Sequence, residues 1–326
     1  MYVTSTPAGN RVKSGNMIPN SPFPLAYALA TANALIIGLS FSLVKVAVTL
    51  AGPVDTLAFR FMIALAVCIL FARIKGARPR FDWQNSLRLL PMALCYPLGF
   101  FLFQGFGLLH ASSGEAGILA ATGPIFTAII AAAFIRERYN LIQSLSMCLS
   151  VVGAVYIAYR QGASLDSVAG IVLLLLSALA GAGYAVLNRV LVRSFSTFEI
   201  TYYLMVVGAV AFGLASVVQH AVHGTFSTML TPFSDTTFTA AILYLSVFSS
   251  LLTTVFASLA LKRLTSAGLT MFLNLSTVVA VLVGYFWLGE AVYAFHLIGA
   301  AMILAGLIGM NAFPSPENPK RKNSAP

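Results

Sequence analysis

Charge is nearly absent from this chain: only 9% of its 326 residues are Asp, Glu, Lys or Arg. Soluble domains carry about 25%, so these residues cannot cover a water-facing globule, and a separate soluble catalytic domain is excluded. Acidic side chains are scarcest, nine against 19 Lys and Arg. Cysteine is rare as well. Cys68, Cys95 and Cys148 stand far apart within apolar runs, which gives neither a disulfide framework nor a zinc spacing. No P-loop pattern occurs, so an ATP-driven pump would need a partner subunit. No Asp lies deep in an apolar run, and His296 is the only histidine inside one, near its end. Intramembrane hydrolysis needs a nucleophile with a histidine, or paired aspartates, and is disfavoured on that ground.

Apolar sequence fills the chain instead. Hydrophobic residues make up 59%, and the mean hydropathy is +0.90. A spanning helix needs about 20 mainly apolar residues. Ten runs approach or exceed that length, near 25–50, 55–72, 88–109, 113–135, 140–159, 168–190, 197–219, 237–261, 266–288 and 294–313. They predict an all-α integral membrane protein of ten transmembrane helices with short connections.

The net charge of +10 is distributed by side. With the N-terminus placed in the cytoplasm, 16 of the 19 Lys and Arg fall on the inner side, leaving Lys45, Arg60 and Arg160. The positive-inside rule then puts both termini in the cytoplasm of a cell whose inner membrane holds the protein. The basic balance reports topology and anionic headgroups, so membrane lipids are the expected partner and nucleic acid is not.

The ten runs divide into two fives. Glu137 and Glu290 stand 153 residues apart, as do Gly153 and Gly306, and Ser113 and Ser266. Gly123-Pro124 lies 13 positions before Glu137, and Ser276-Thr277 lies 13 before Glu290. Five is an odd number, so the second copy must enter the membrane from the opposite side. Inverted repeats of this kind are the common plan of secondary transporters. The expected organisation is a disordered cytoplasmic tail over 1–24, one repeat over 25–162, an inverted second repeat over 163–313, and a cytoplasmic tail over 314–326. The longest outer connection, 220–236, contains His220, His223 and Asp235. It reads as a solvated loop, with a metal-binding histidine pair as the weaker alternative.

Several residues together resemble the drug/metabolite transporter superfamily, specifically its EamA-like family of ten-helix carriers. They are Lys45 late in span one, Pro53 and Arg60 opening span two, Ser112-Ser113 opening span four, then Pro124, Glu137 and Gly153. In the second copy the pattern continues with Gly289-Glu290, Gly299 and Gly306. Two positions depart from it: Thr277 stands where the family commonly has proline, and Arg136 where it has glycine. The resemblance implies gradient-driven movement of small metabolites, often export of amino acids and related compounds. It implies no cofactor and no enzymatic activity.

Ionisable groups inside a membrane are costly and need a partner or a wet cavity. Lys45, Arg60 and Glu115 are expected at similar depth on one side, where they form either a mouth for a zwitterion or carboxylate, or an ion-pair cluster tying helices together. Glu115 is the candidate for proton coupling, with a helix-start carboxylate favoured by the helix dipole as the alternative. Gln104, Tyr184 and Asn274 are uncharged candidates for lining the substrate path, and buried amides need hydrogen-bond partners from a helix or a substrate. Gly123 and Pro124 should break span four beside that path, since proline removes a backbone donor. Glu137 and Glu290 are expected to pair with basic residues or with exposed amides of the next helix. The predicted activity is proton-coupled export of a small metabolite by alternating access, acting as a monomer or homodimer. Import of a vitamin or nucleotide-like compound is the alternative within the class, and a non-transporting receptor or embedded enzyme the alternative outside it.

Overall fold

The computed structural model describes residues 23–76, 83–135, 140–160, 165–262, 264 and 266–312. Among these, every regular element is helical. In chain order they are α1 (Phe23–Lys75), α2 (Trp83–Ala93), α3 (Phe100–His110), α4 (Ser113–Ala120), α5 (Gly123–Ile135) and α6 (Leu141–Arg160). The remainder are α7 (Leu165–Leu191), α8 (Thr197–His223), α9 (Thr236–Tyr244), α10 (Thr253–Ala260), α11 (Ser266–Leu288) and α12 (Ala294–Ala312). Apart from Phe23 and Pro24, the expected tails fall outside the described residues, as do Arg136 and Glu137.

Six helical stretches are long and apolar enough to cross a membrane by length and composition. The first, Leu25–Lys75, holds 51 residues, and at about 1.5 Å per residue it is far longer than one crossing requires. It breaks at Gly52, whose φ of 74° suits only glycine, immediately before Pro53. Leu141–Ile157, Leu275–Leu288 and Ala294–Gly306 are shorter apolar helices. Large apolar side chains also cover the outside: Phe134, Tyr159, Phe286 and Ile308 are exposed. Water would penalise that surface and lipid would not, as a multi-pass membrane protein requires.

Two stretches within the long apolar helices depart from α geometry. Leu94–Gly99 joins α2 to α3 as a π-helical turn with a non-helical Tyr96, and Leu245–Leu252 joins α9 to α10 as a second π-helical turn. Close packing follows the small residues. On α6, a Cβ added at Gly153 would lie 2.9 Å from the Gly299 carbonyl oxygen of α12. One added at Gly306 would collide with Ser150 and Ser146. The Ser150 hydroxyl donates to the Ile303 carbonyl at 2.9 Å. Without side chains in the way, the two backbones approach closely enough for van der Waals contact to hold them.

Candidate functional site

Helices α1, α3, α4, α5, α7, α10 and α11 surround a partly open central cavity. On α7, Ala178, Gly181, Ala182 and Ala185 face it, a stripe at helical spacing whose small side chains leave the space open. Ala116, Ala120 and Gly123 do the same from α4 and α5. The wall is mostly apolar, and none of its described residues is Asp, Glu, Lys, Arg or His. Its polar groups are uncharged. Gln104, Tyr184 and Gly123, singled out from the sequence, line it. Tyr184 stacks on Tyr96 with ring centroids 4.5 Å apart, and its hydroxyl accepts from the Asn188 amide at 2.9 Å. Asn33, which sequence reasoning passed over, lines the cavity too, and its buried Oδ1 has no partner among the described residues. Asn274 lies on α11, but its side chain is outside the described residues.

Span four does break. The break falls at Ala121-Thr122, and Gly123 and Pro124 form the first turn of α5. There proline's missing N–H costs nothing, because first-turn amides lack intrahelical partners anyway. Thr122 caps the new helix, its carbonyl accepting from the Ile125 and Phe126 amides at 3.0 and 3.2 Å. The equivalent stretch of α11 is unbroken: Thr277, in place of proline, lets the helix continue. Its hydroxyl donates to the Gly117 carbonyl of α4 at 2.8 Å.

A second, more open pocket gathers Lys45, Ser112, Glu115, Arg160 and His296. Lys45 Nζ donates to the Leu108 and Ala111 carbonyls at 2.6 and 2.8 Å, placing a cation at the C-terminus of α3 as the helix dipole favours. Glu115 completes a capping box with Ser112 at the start of α4. Its Oε1 lies 3.0 Å from His296 Nε2. His296 Nδ1 accepts from the Tyr293 amide at 3.2 Å, so the neutral ring carries its proton on Nε2 and donates it to Glu115. Glu290 accepts from the Ser113 amide at 2.8 Å, the Ser113 hydroxyl at 2.7 Å and the Gly114 amide at 3.1 Å. It does bind exposed amides, but those of α4, not of the following helix.

Arg60 does not join Lys45 and Glu115; the expected cluster of three charges is not formed. Arg60 is 1% exposed. Nε donates to Ser250 Oγ at 2.7 Å and Nη2 to Ser249 Oγ at 2.8 Å. The group lies over the Phe101 ring, 4.0 Å from its centroid, in cation–π geometry. Nη1 has no partner. No carboxylate pairs with Arg60 among the described residues.

A second correction concerns the 220–236 segment. His220 and His223 belong to α8, and Asp235 is the N-cap of α9, where the Thr237 amide holds its carboxyl below the usual range. His220 is buried, with Nε2 2.9 Å from Asp55 Oδ2 and Nδ1 2.7 Å from Thr225 Oγ1. The Ser216 hydroxyl donates to Asp55 Oδ1 at 2.5 Å. No cluster of three or more metal-ligating side chains occurs among the described residues. Asp55 and His220 stand 165 residues apart, and no local signal joined them.

The profile of the EamA-like transporter family matches residues 24–159 and again residues 168–312. An uncharacterized transporter, YcxC, of Bacillus subtilis (strain 168) is 39% identical over 291 residues, covering 88% of this chain and 92% of that one. A probable terminal-alkyne amino-acid exporter of Streptantibioticus cattleyicolor is 30% identical over 252 residues, covering 76% of this chain and 80% of that one. One crystal structure shares the fold, with a TM-score of 0.62 at 19% identity, over 87% of this chain and 98% of its own. With all but the ends and one short connection matched, and with the relatives named as transporters, the chain belongs to the EamA-like transporter family and is a transporter, not an enzyme.

Proposed function

We propose that the protein is a secondary active exporter of small amphipathic metabolites, amino acids or related carboxylate compounds, working by alternating access across the inner membrane. The central cavity carries this reading. It lies between helices from both halves of the sequence, bounded by α1, α3, α4 and α5 of the first half and by α7, α10 and α11 of the second. A site between two halves can be exposed to either side by rocking one against the other. The ten-span, inverted-repeat topology with both termini cytoplasmic belongs to the same proposal. Counting Leu25–Lys75 as two crossings divided at Gly52, and adding the three shorter apolar helices, turns six stretches into ten. The family profile matching once in each half supports a duplication. Export of an amino acid is favoured over import because the relative named as an amino-acid exporter aligns over three-quarters of this chain.

Proton coupling through Glu115 is part of the proposal. His296 Nδ1 already accepts a backbone N–H, so an added proton is accommodated most directly on the Glu115 carboxyl, loosening its bond to His296. Lys45, in the same opening, is the group that meets a substrate carboxylate on its way through. Gly123 and Pro124, beside the break, mark where α4 and α5 hinge. The test is purified protein in liposomes loaded with radiolabelled neutral amino acids, with and without an imposed pH gradient. Gradient-driven movement of at least one supports the proposal, and movement of none overturns it.

A further inference from the structure

The cavity wall holds two carboxamides without a side-chain hydrogen bond among the described residues. Asn33 on α1 is 3% exposed and its Oδ1 has no partner among the described residues. Gln104 on α3 is also buried and lines the same space, and no side-chain hydrogen bond joins it to another described residue. Buried polar groups are nearly always satisfied, so an orphaned acceptor on a residue that lines a cavity points to a missing donor. The surroundings fix that donor's chemistry. No charged side chain lines the described wall, and an ion brought into a mostly apolar cavity without a counter-charge pays heavily for lost solvation. One layer behind the wall sits the uncompensated Arg60 charge: it lies over Phe101, whose ring is 4.8 Å from that of Tyr96, and Tyr96 lines the cavity. A cation entering the cavity meets that field with no carboxylate to offset it.

Building on the proposed export function, we infer that the cavity selects its cargo by charge and by one hydrogen bond: it takes molecules without net charge, zwitterions included, whose N–H or O–H donates to Asn33 Oδ1, and it excludes cations. Gln104, able to donate and accept, holds a second polar atom of the cargo, while the alanine and glycine stripe of α7 receives its apolar part.

Counterflow in proteoliposomes with labelled L-leucine, L-phenylalanine and L-threonine, against L-lysine and L-arginine, tests this. The wild type should exchange at least one neutral amino acid at ten or more times the rate of either cation. Asn33→Asp supplies the missing counter-charge and should lower neutral exchange while raising cation exchange, reversing or at least erasing that preference. Asn33→Leu should lose exchange with an unchanged thermal unfolding midpoint, which separates recognition from folding. A wild type that carries cations as well as neutral molecules overturns the inference and leaves the export reading standing. So does an Asn33→Asp variant that folds normally and keeps the wild-type preference. A wild type that carries none of the five overturns both.

Discussion

Glu115 and His296, 181 residues apart in the chain, meet at 3.0 Å in a buried contact between α4 and α12. The same carboxylate also accepts the Ser112 amide at 2.8 Å and so closes the cap of α4. One side chain therefore ties a helix start to a distant helix, and its protonation bears on both contacts. Replacing it by glutamine keeps an acceptor for the Ser112 amide and removes the titrating group. Glu115→Gln should retain substrate exchange and lose accumulation driven by a pH gradient, measured in the same liposomes. Accumulation at the wild-type level would return Glu115 to a purely capping role.

Asp55 and His220 form the other buried carboxylate–imidazole pair, and it faces neither opening. Its predicted role is structural. Removing one partner of such a pair costs about 3–5 kcal/mol, because the other is left buried and unpaired. Asp55→Ala should lower the thermal unfolding midpoint markedly and reduce the amount inserted in the membrane. A normal midpoint would mean that water takes the carboxylate's place beside His220 and Ser216.

Lys45 binds the two carbonyls that end α3 and its following turn, so it is not a side chain that can be trimmed freely. Loss of a cation at a helix C-terminus costs up to about 2 kcal/mol. Lys45→Ala should lose stability on that scale as well as transport rate. If stability falls while exchange per folded molecule is unchanged, Lys45 serves the helix end alone.

The contact between α6 and α12 leaves no room at Gly306, where even a methyl group would meet Ser150 and a backbone carbonyl. Overpacking of this kind typically costs about 1–3 kcal/mol. Gly306→Ala should be destabilised, and Gly123→Ala, whose added Cβ meets nothing within 4 Å, should not. Equal midpoints for the two variants would place the helices further apart than the structure has them.

Much of this was legible from spacing. The glycines at 153 and 306 marked the repeat by their spacing but not their contact across α6 and α12, and Gly123-Pro124 announced a broken helix to within two residues. Tyr96-Pro97 carried a similar proline signal in span three, yet the larger distortion there and the π-helical turn around Ser249-Ser250 were not read. Serine in an apolar run gives no local sign that it will hold an arginine 189 residues away. Asn33 was passed over for a related reason. A single amide in an apolar helix has the same sequence pattern whether it is satisfied or orphaned, and only the packing of seven helices around one space distinguishes the two cases. Arg60 was grouped with Lys45 by depth alone, and depth does not say which helix faces which.

The central claim is that the cavity opens alternately to the two sides of the membrane, and cysteine accessibility tests it without knowledge of the cargo. Ala120 lines the cavity. In a background with Cys68, Cys95 and Cys148 replaced, Ala120→Cys is exposed to a membrane-impermeant thiol reagent in right-side-out and in inside-out vesicles. The account predicts labelling from both sides, with a condition that speeds one slowing the other, such as an imposed pH gradient. Labelling from one side only, whatever the gradient, would contradict it.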